Sequence, residues 1–160
     1  MNKFVLNWQE IHHAVMALAI QILASDEEYS AIIAPARGGL VPGTMLSHRL
    51  GLPLFPITWS TRDFVSKYIP QNVKDLLTGS AKRILLVEDI VDSGESVSEL
   101  LHVLGWEVPR SHDIIDVAAI VENTAQSKVK VDYSHHQFDL HNYPKWIEFP
   151  WELEKYNAAI

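Results

Sequence analysis

Thirteen consecutive residues near the middle of the chain, Ile84-Leu85-Leu86-Val87-Glu88-Asp89-Ile90-Val91-Asp92-Ser93-Gly94-Glu95-Ser96, carry the densest chemistry. Four apolar residues deliver two adjacent carboxylates, then a third, then a Ser-Gly-x-Ser turn that opens a helix. Backbone N–H groups of a tight turn, two hydroxyls and a helix N-terminus all present positive partial charge, which suits a phosphate. Glu88 and Asp89 would repel a bare anion. They make sense beside one if they bind hydroxyls, act as bases or hold a hydrated Mg2+. A ligand combining phosphate, vicinal hydroxyls and a metal therefore fits better than a simple anion; the plain alternative is an acidic turn before a serine-capped helix. A second segment, Ala34-Pro35-Ala36-Arg37-Gly38-Gly39-Leu40-Val41-Pro42-Gly43, pairs a guanidinium with two glycines. Arg37 can donate two parallel hydrogen bonds to an anion, and Gly38 and Gly39 let backbone N–H groups approach it closely. Its bland counterpart is an ordinary Gly-Gly turn with a surface arginine.

These turns need rigid elements to carry them. Asn7-Trp8-Gln9-Glu10 has the layout of a helix-opening capping box, and Trp8, Ile11, Val15, Leu18 and Ile22 then recur at steps of three and four. Residues 31–34 form a short apolar run that suits a buried strand. A helix is expected from about Pro42 to Leu50, stopped by Gly51. Residues 53–59 read as a strand, and residues 60–81 as a long, partly mobile connection with weak helical periodicity. The run 84–87 is fully apolar, as a central parallel strand is. Val97, Leu100, Leu101 and Leu104 then form a helical stripe that Gly105 can end. Strands are expected at 114–121 and, shorter, at 129–133. Helices alternating with apolar strands predict an α/β fold, a mostly parallel sheet flanked by helices, with ligands at the carboxyl ends of the strands.

Composition bounds the possibilities. The 160 residues carry 13 Lys+Arg against 20 Asp+Glu, a formal charge of −7, with 48% apolar residues and no Cys. That is globular composition for one domain, 1–160, and a poor prior for general nucleic-acid binding. Without cysteine there is no disulfide framework, thiol nucleophile or thiolate metal site. The longest apolar stretch, residues 14–24, is interrupted by Gln21 and too short to span a bilayer. The N-terminus lacks a secretory layout, so a cytoplasmic protein without stable membrane insertion is expected.

The thirteen-residue run resembles the phosphoribosyl-pyrophosphate (PRPP) signature of the type I phosphoribosyltransferases. The segment around Arg37 is similar to the pyrophosphate-binding turn of bacterial xanthine-guanine phosphoribosyltransferases, and Trp146-Ile147-Glu148-Phe149-Pro150-Trp151-Glu152 to their base-binding hood. The resemblance implies the type I phosphoribosyltransferase fold with a hood over 134–154. It implies Mg2+-dependent transfer of the phosphoribosyl group of PRPP to a purine-type base, giving a nucleoside monophosphate and pyrophosphate, in a homo-oligomer (dimer or tetramer). Catalysis would rest on Glu88, Asp89 and Asp92, the last managing a proton near the purine N7. The 5′-phosphate would lie on Asp92, Ser93, Gly94, Glu95 and Ser96, with the Glu95 side chain toward solvent, and the pyrophosphate on Arg37, Gly38 and Gly39. Glu88, Asp89 and Glu152 would attend the metal. Trp146 would stack on the base while the Ile147 backbone reads its edge; Trp151 is expected to be core packing. Residues 60–81 would be the family's lid, with Arg62, Lys67 and Lys74 as candidate pyrophosphate contacts.

The sequence departs from the family after the strand at 114–121. Where the related purine enzymes place a lysine that donates to a 6-oxo group, an ungapped reading puts Glu122 and a one-residue shift puts Asn123. A carboxylate facing an oxo group would set acceptor against acceptor, at a cost of about 1–3 kcal/mol if buried. Glu122 therefore implies an amino-substituted purine, unless it points away and Asn123 or another register reads the base. His135-His136-Gln137-Phe138-Asp139-Leu140-His141 matches no closed zinc spacing and reads as a solvated loop. Three rival functions stay open: a PRPP-binding regulator without turnover, a transferase for a non-purine base, and a phosphate-binding module unrelated to PRPP.

Overall fold

The computed structural model describes residues 2–59, 67–79 and 82–152. Its elements follow in the order β1 (Asn2–Val5), α1 (Trp8–Ala24), β2 (Tyr29–Ala36), α2 (Leu40–Leu50), β3 (Leu54–Thr58), α3 (Gln71–Gly79), β4 (Arg83–Val91), α4 (Glu95–Glu107), α5 (Ser111–Ile114), β5 (Ile115–Asn123), β6 (Tyr133–Phe138) and β7 (Lys145–Glu148). Five strands form one sheet in the order β3-β2-β4-β5-β6, and every neighbouring pair is parallel. A separate two-stranded parallel sheet joins β1 to β7, the latter within the segment expected as hood.

Both faces of the main sheet are covered, which is why residues 84–87 of β4 and 117–121 of β5 read as unbroken apolar runs rather than as alternation. Leu85 and Val87 point into a core shared with α1, α2 and the hood residues Ile147 and Phe149. Ile84 and Leu86 point the other way, onto α3 and α4 through Val73, Leu77, Leu100 and Leu104. The start of α1 is a reciprocal capping box: Asn7 Oδ1 accepts the Glu10 N–H at 2.9 Å, and Glu10 Oε2 accepts the Asn7 N–H at 2.8 Å. Gly51 ends α2 in the left-handed conformation, φ 67°.

Several local expectations change. Helix α2 starts at Leu40, two residues before Pro42. Part of the connection expected at 60–81 is a helix, α3, anchored by the fully buried Val73 and Leu77; residues 60–66, 80 and 81, and Arg62 with them, lie outside the described residues. Gly105 does not end α4. A β-carbon there would fall 1.8 Å from His112 Nε2, so the glycine admits α5 against the helix, which runs on to Glu107. The last strand of the main sheet is 133–138 rather than 129–133. Residues 135–138 of the histidine run are therefore strand and not a solvated loop, with 139–141 in the turn that follows: His136 stacks on Phe138 (centroids 5.8 Å apart, 6°) while the Phe4 ring meets both edge-on. It follows that residues 134–138 belong to the main sheet. Within the segment expected as hood, β7 pairs instead with β1, and β1 carries no sequence signal strong enough to announce it.

Candidate active site

Because all five strands are parallel, their carboxyl ends lie along one edge of the sheet. β2 and β4 are immediate neighbours there, and this sets the turn 37–39 beside the turn 88–96. One cavity of about 750 Å3 opens between them and the segment after β7, a size usual for small-molecule sites. Arg37, Gly38, Glu88, Asp89, Asp92, Ser93, Gly94, Glu95, Ser96 and Glu152 all line it. Gly39 stands just behind its wall, with its α-carbon face 2.3 Å from the Val87 carbonyl oxygen measured at an added β-carbon.

The two turns are fitted to each other by absence of side chain. A β-carbon on Gly38 would lie 2.2 Å from Asp89 Oδ2, and one on Gly39 would lie 3.2 Å from Glu88 Oε2. The glycines thus let the cationic turn close directly over the two carboxylates. The Ala36–Arg37 peptide bond is cis. In the second turn, Gly94 takes φ 72°, a left-handed conformation that L side chains avoid, and caps the N-terminus of the thirteen-residue α4. The segment 127–129 packs behind it, with the Lys128 N–H donating to the Ser93 carbonyl at 2.9 Å. The Glu95 side chain is 68% exposed and meets only the Lys128 ammonium, at 3.4 Å, among the ion pairs of the described residues.

Burial dominates the adjacent pair Glu88 and Asp89. Enclosure pushes the Glu88 carboxyl well above its ordinary range, and the neighbouring charge of Asp89 pushes the same way. Asp89 is raised to about 6, first by burial and further by the charge of Glu152. Three hydrogen bonds oppose this rise: from the Ile90 N–H (2.7 Å to Oδ1), from the backbone N–H of Asp89 itself, and from the Trp151 side chain. Trp151 is thus more than packing: it stacks on Phe149 (4.8 Å, 13°), lines the cavity and reaches Asp89. Asp92 receives a hydrogen bond from Asn123 Nδ2 at 2.8 Å.

Four expected base contacts stand outside the cavity lining. Glu122 turns to its own neighbours on β6, its Oε2 accepting from Ser134 Oγ (2.7 Å) and Gln137 Nε2 (3.2 Å). Asn123 is buried behind Asp92, Ile147 is buried in the hood core, and Trp146 is half exposed on β7. Of the expected lid cations, Lys67 pairs with Glu99 at 2.5 Å and lies 5.1 Å above the Trp59 ring, and Lys74 pairs with Glu107 at 2.9 Å. Trp59, Ile90 and Trp151 line the cavity although sequence reasoning assigned them no contact there. Trp59 directly follows β3 at the same sheet edge and donates from Nε1 to the Ser96 carbonyl at 3.0 Å, bracing the first turn of α4. Its position just past a strand's carboxyl end was the available signal.

The carboxylate donors suit a hard divalent cation. Asp89 and Glu152 repel each other across the cavity, a repulsion that such an ion would turn to attraction. Among the described residues no three carboxylates or imidazoles form a cage of their own. A cation here would take one or two protein carboxylates and complete its shell from water and ligand oxygens, as Mg2+ does.

Comparison with known proteins places the chain in one family. The chain is 28% identical to the xanthine-guanine phosphoribosyltransferase of Idiomarina loihiensis, over 95% of this chain and 88% of that one. It is 27% identical to the enzyme of the same name from Vibrio vulnificus, over 95% and 90%. The purine phosphoribosyltransferase from Pyrococcus horikoshii superposes with a TM-score of 0.73 at 26% identity, covering 97% of each chain. The model of the phosphoribosyl transferase domain matches residues 2–157, nearly the whole length, and the chain with its paired anion turns belongs to that family.

Proposed function

We propose that the protein transfers the phosphoribosyl group of PRPP to a ring nitrogen of a purine, releasing pyrophosphate and a nucleoside monophosphate, with Mg2+. The observation that carries this reading is the single cavity shared by two anion-suited turns with a carboxylate pair held between them. One turn suits a phosphate monoester: Ser93–Ser96 presents backbone N–H groups and the positive end of α4. The other, Arg37-Gly38-Gly39, suits the pyrophosphate through its guanidinium and unobstructed backbone. The distance between them would be spanned by the ribose.

As the bond from C1 of the ribose to pyrophosphate breaks and the bond to the base nitrogen forms, positive charge grows on the sugar. Asp89 and Glu88, which line the same cavity, would hold the ribose hydroxyls, and Asp89 would stabilise the growing charge. Asp92 takes up the proton that the base gives up. Asp89 and Glu152 would hold Mg2+, with Glu88 behind them, and the ion would supply charge neutralisation at the departing pyrophosphate. Ile90 and the indole of Trp151 offer apolar walls for the base, beside the hood where Trp146 stands half exposed. Glu122, held by Ser134 and Gln137, leaves the choice between amino- and oxo-purines to other groups.

The test is a base panel: protein, Mg2+ and PRPP with adenine, diaminopurine, guanine, xanthine, hypoxanthine and pyrimidines, read by product mass. A monophosphate from purines and none from pyrimidines is expected. Saturable PRPP binding with no product from any base would replace the enzyme by a PRPP-binding regulator. Product from a pyrimidine alone would replace the base class.

A further inference from the structure

Asn123, the last residue of β5, is 1% exposed and spends every polar atom of its side chain. Its Oδ1 accepts the backbone N–H of Ala125 at 3.2 Å and of Leu140 at 3.1 Å. Two backbone donors decide which end of the amide is oxygen, so the amino end is left facing Asp92, where Nδ2 donates to Oδ1 at 2.8 Å. The amide therefore ties three segments together: the turn after β4, the loop after β5, and the stretch between β6 and β7 whose Leu140 packs into the core under the hood.

We infer that Asn123 is a positioning residue for Asp92, aiming its carboxylate at the base through a hydrogen bond to one oxygen. This rests on the assignment of Asp92 as the group that handles the base's proton. A carboxylate on a short side chain at a turn has rotamers to choose from, and a misplacement of about 1 Å at a reacting atom costs on the order of 100-fold in rate. The donor must be an amide here. The same atom set has to accept from Ala125 and Leu140 at one end and donate to Asp92 at the other, which neither a carboxylate nor a lysine can do. Buried and outside the cavity lining, Asn123 so used does not read the base.

Asn123→Asp separates positioning from structure. The substitution retains an oxygen for both backbone donors and replaces only the amino group, setting an acceptor against Asp92. With the purine that the wild type prefers, kcat is expected to fall about 10- to 100-fold at pH 8, with the KM for PRPP unchanged within about twofold. The loss should shrink as the pH falls, because a protonated carboxyl at this position regains a donor. Asn123→Ala gives a second route: in an Asp92→Asn background it should lower kcat no further, since its effect passes through Asp92. Unchanged kcat in Asn123→Asp, or additive losses in the double variant, would overturn the inference while leaving the transferase intact. A wild type inactive with every purine would instead overturn the function on which it rests.

Discussion

Gly38 and Asp89 compete for the same space, and the chain resolves the conflict by giving one of them no side chain. In Gly38→Ala the new methyl must displace the Asp89 carboxylate, since 2.2 Å admits no contact. The expected outcome is a loss of roughly tenfold or more in Mg2+-PRPP affinity by calorimetry, from about 1–3 kcal/mol of overpacking at the site. Asp92→Ala is expected to lower turnover at least 100-fold while PRPP affinity holds within a few-fold, because the phosphate turn is built mainly from backbone. Product formation and equilibrium binding, measured on one preparation, check both halves. Glu122→Lys should leave the order of preference among purines unchanged, as Glu122 faces Ser134 and Gln137; a switch toward oxopurines in the base panel would return the reader's role to this position.

At the scale of elements, the phosphate site is a property of how β4 hands over to α4. Gly94 holds the left-handed turn between them, and the space over its α-carbon is already closed by Lys128 N and Val129 Cγ2, each 3.0 Å from where a β-carbon would be. Gly94→Ala should therefore cost about 1–2 kcal/mol of stability in a urea titration and weaken PRPP binding in parallel. The strands and helices that build this edge were legible because they are buried on both faces or carry an apolar stripe. Helix α3 was not, since three apolar residues, Val73, Leu77 and the partly buried Leu76, anchor an otherwise polar segment. Strand β6 was hidden by its histidines: Phe138 and the half-buried His136 face the aromatic ring of Phe4, 134 and 132 residues away in sequence, a partnership invisible locally.

Across the whole molecule, function and stability occupy different ends of the sheet. Asp116 is buried on β5 among the first residues of its strand, where it accepts from Tyr29 Oη at 2.6 Å and from Arg83 through two guanidinium nitrogens. Tyr29 Oη also lies 2.8 Å from Tyr133 Oη, so the cluster joins β2, β4, β5 and β6. Burial alone would raise the Asp116 carboxyl; the bonds from Arg83 and Tyr29 outweigh it and hold the group below its ordinary 3.8. Its contribution to stability is then fully present above that value and is lost as the pH falls through the lower, folded one. Thermal melts between pH 3 and 7 should show Asp116→Asn destabilised relative to wild type at neutral pH, with the gap closing at the acid end. A gap constant over that range would mean that packing, not charge, is what the substitution removes.

The sequence by itself determined the α/β alternation, the parallel central strand and both anion-suited turns, because each is written in contiguous residues whose types and spacing act locally. It also located Glu152 and the hood's aromatic segment by likeness. What only the tertiary structure decided were the relations between segments far apart in the chain. Glycine at 38 is explained by Asp89 on the neighbouring strand, and Trp151 gains its role from the same carboxylate. Asn123 and Glu122 are adjacent in sequence, yet one holds Asp92 and the other turns to β6. Which way each side chain points depends on the register of β5 against its neighbours, and that register is set by burial summed over the whole sheet.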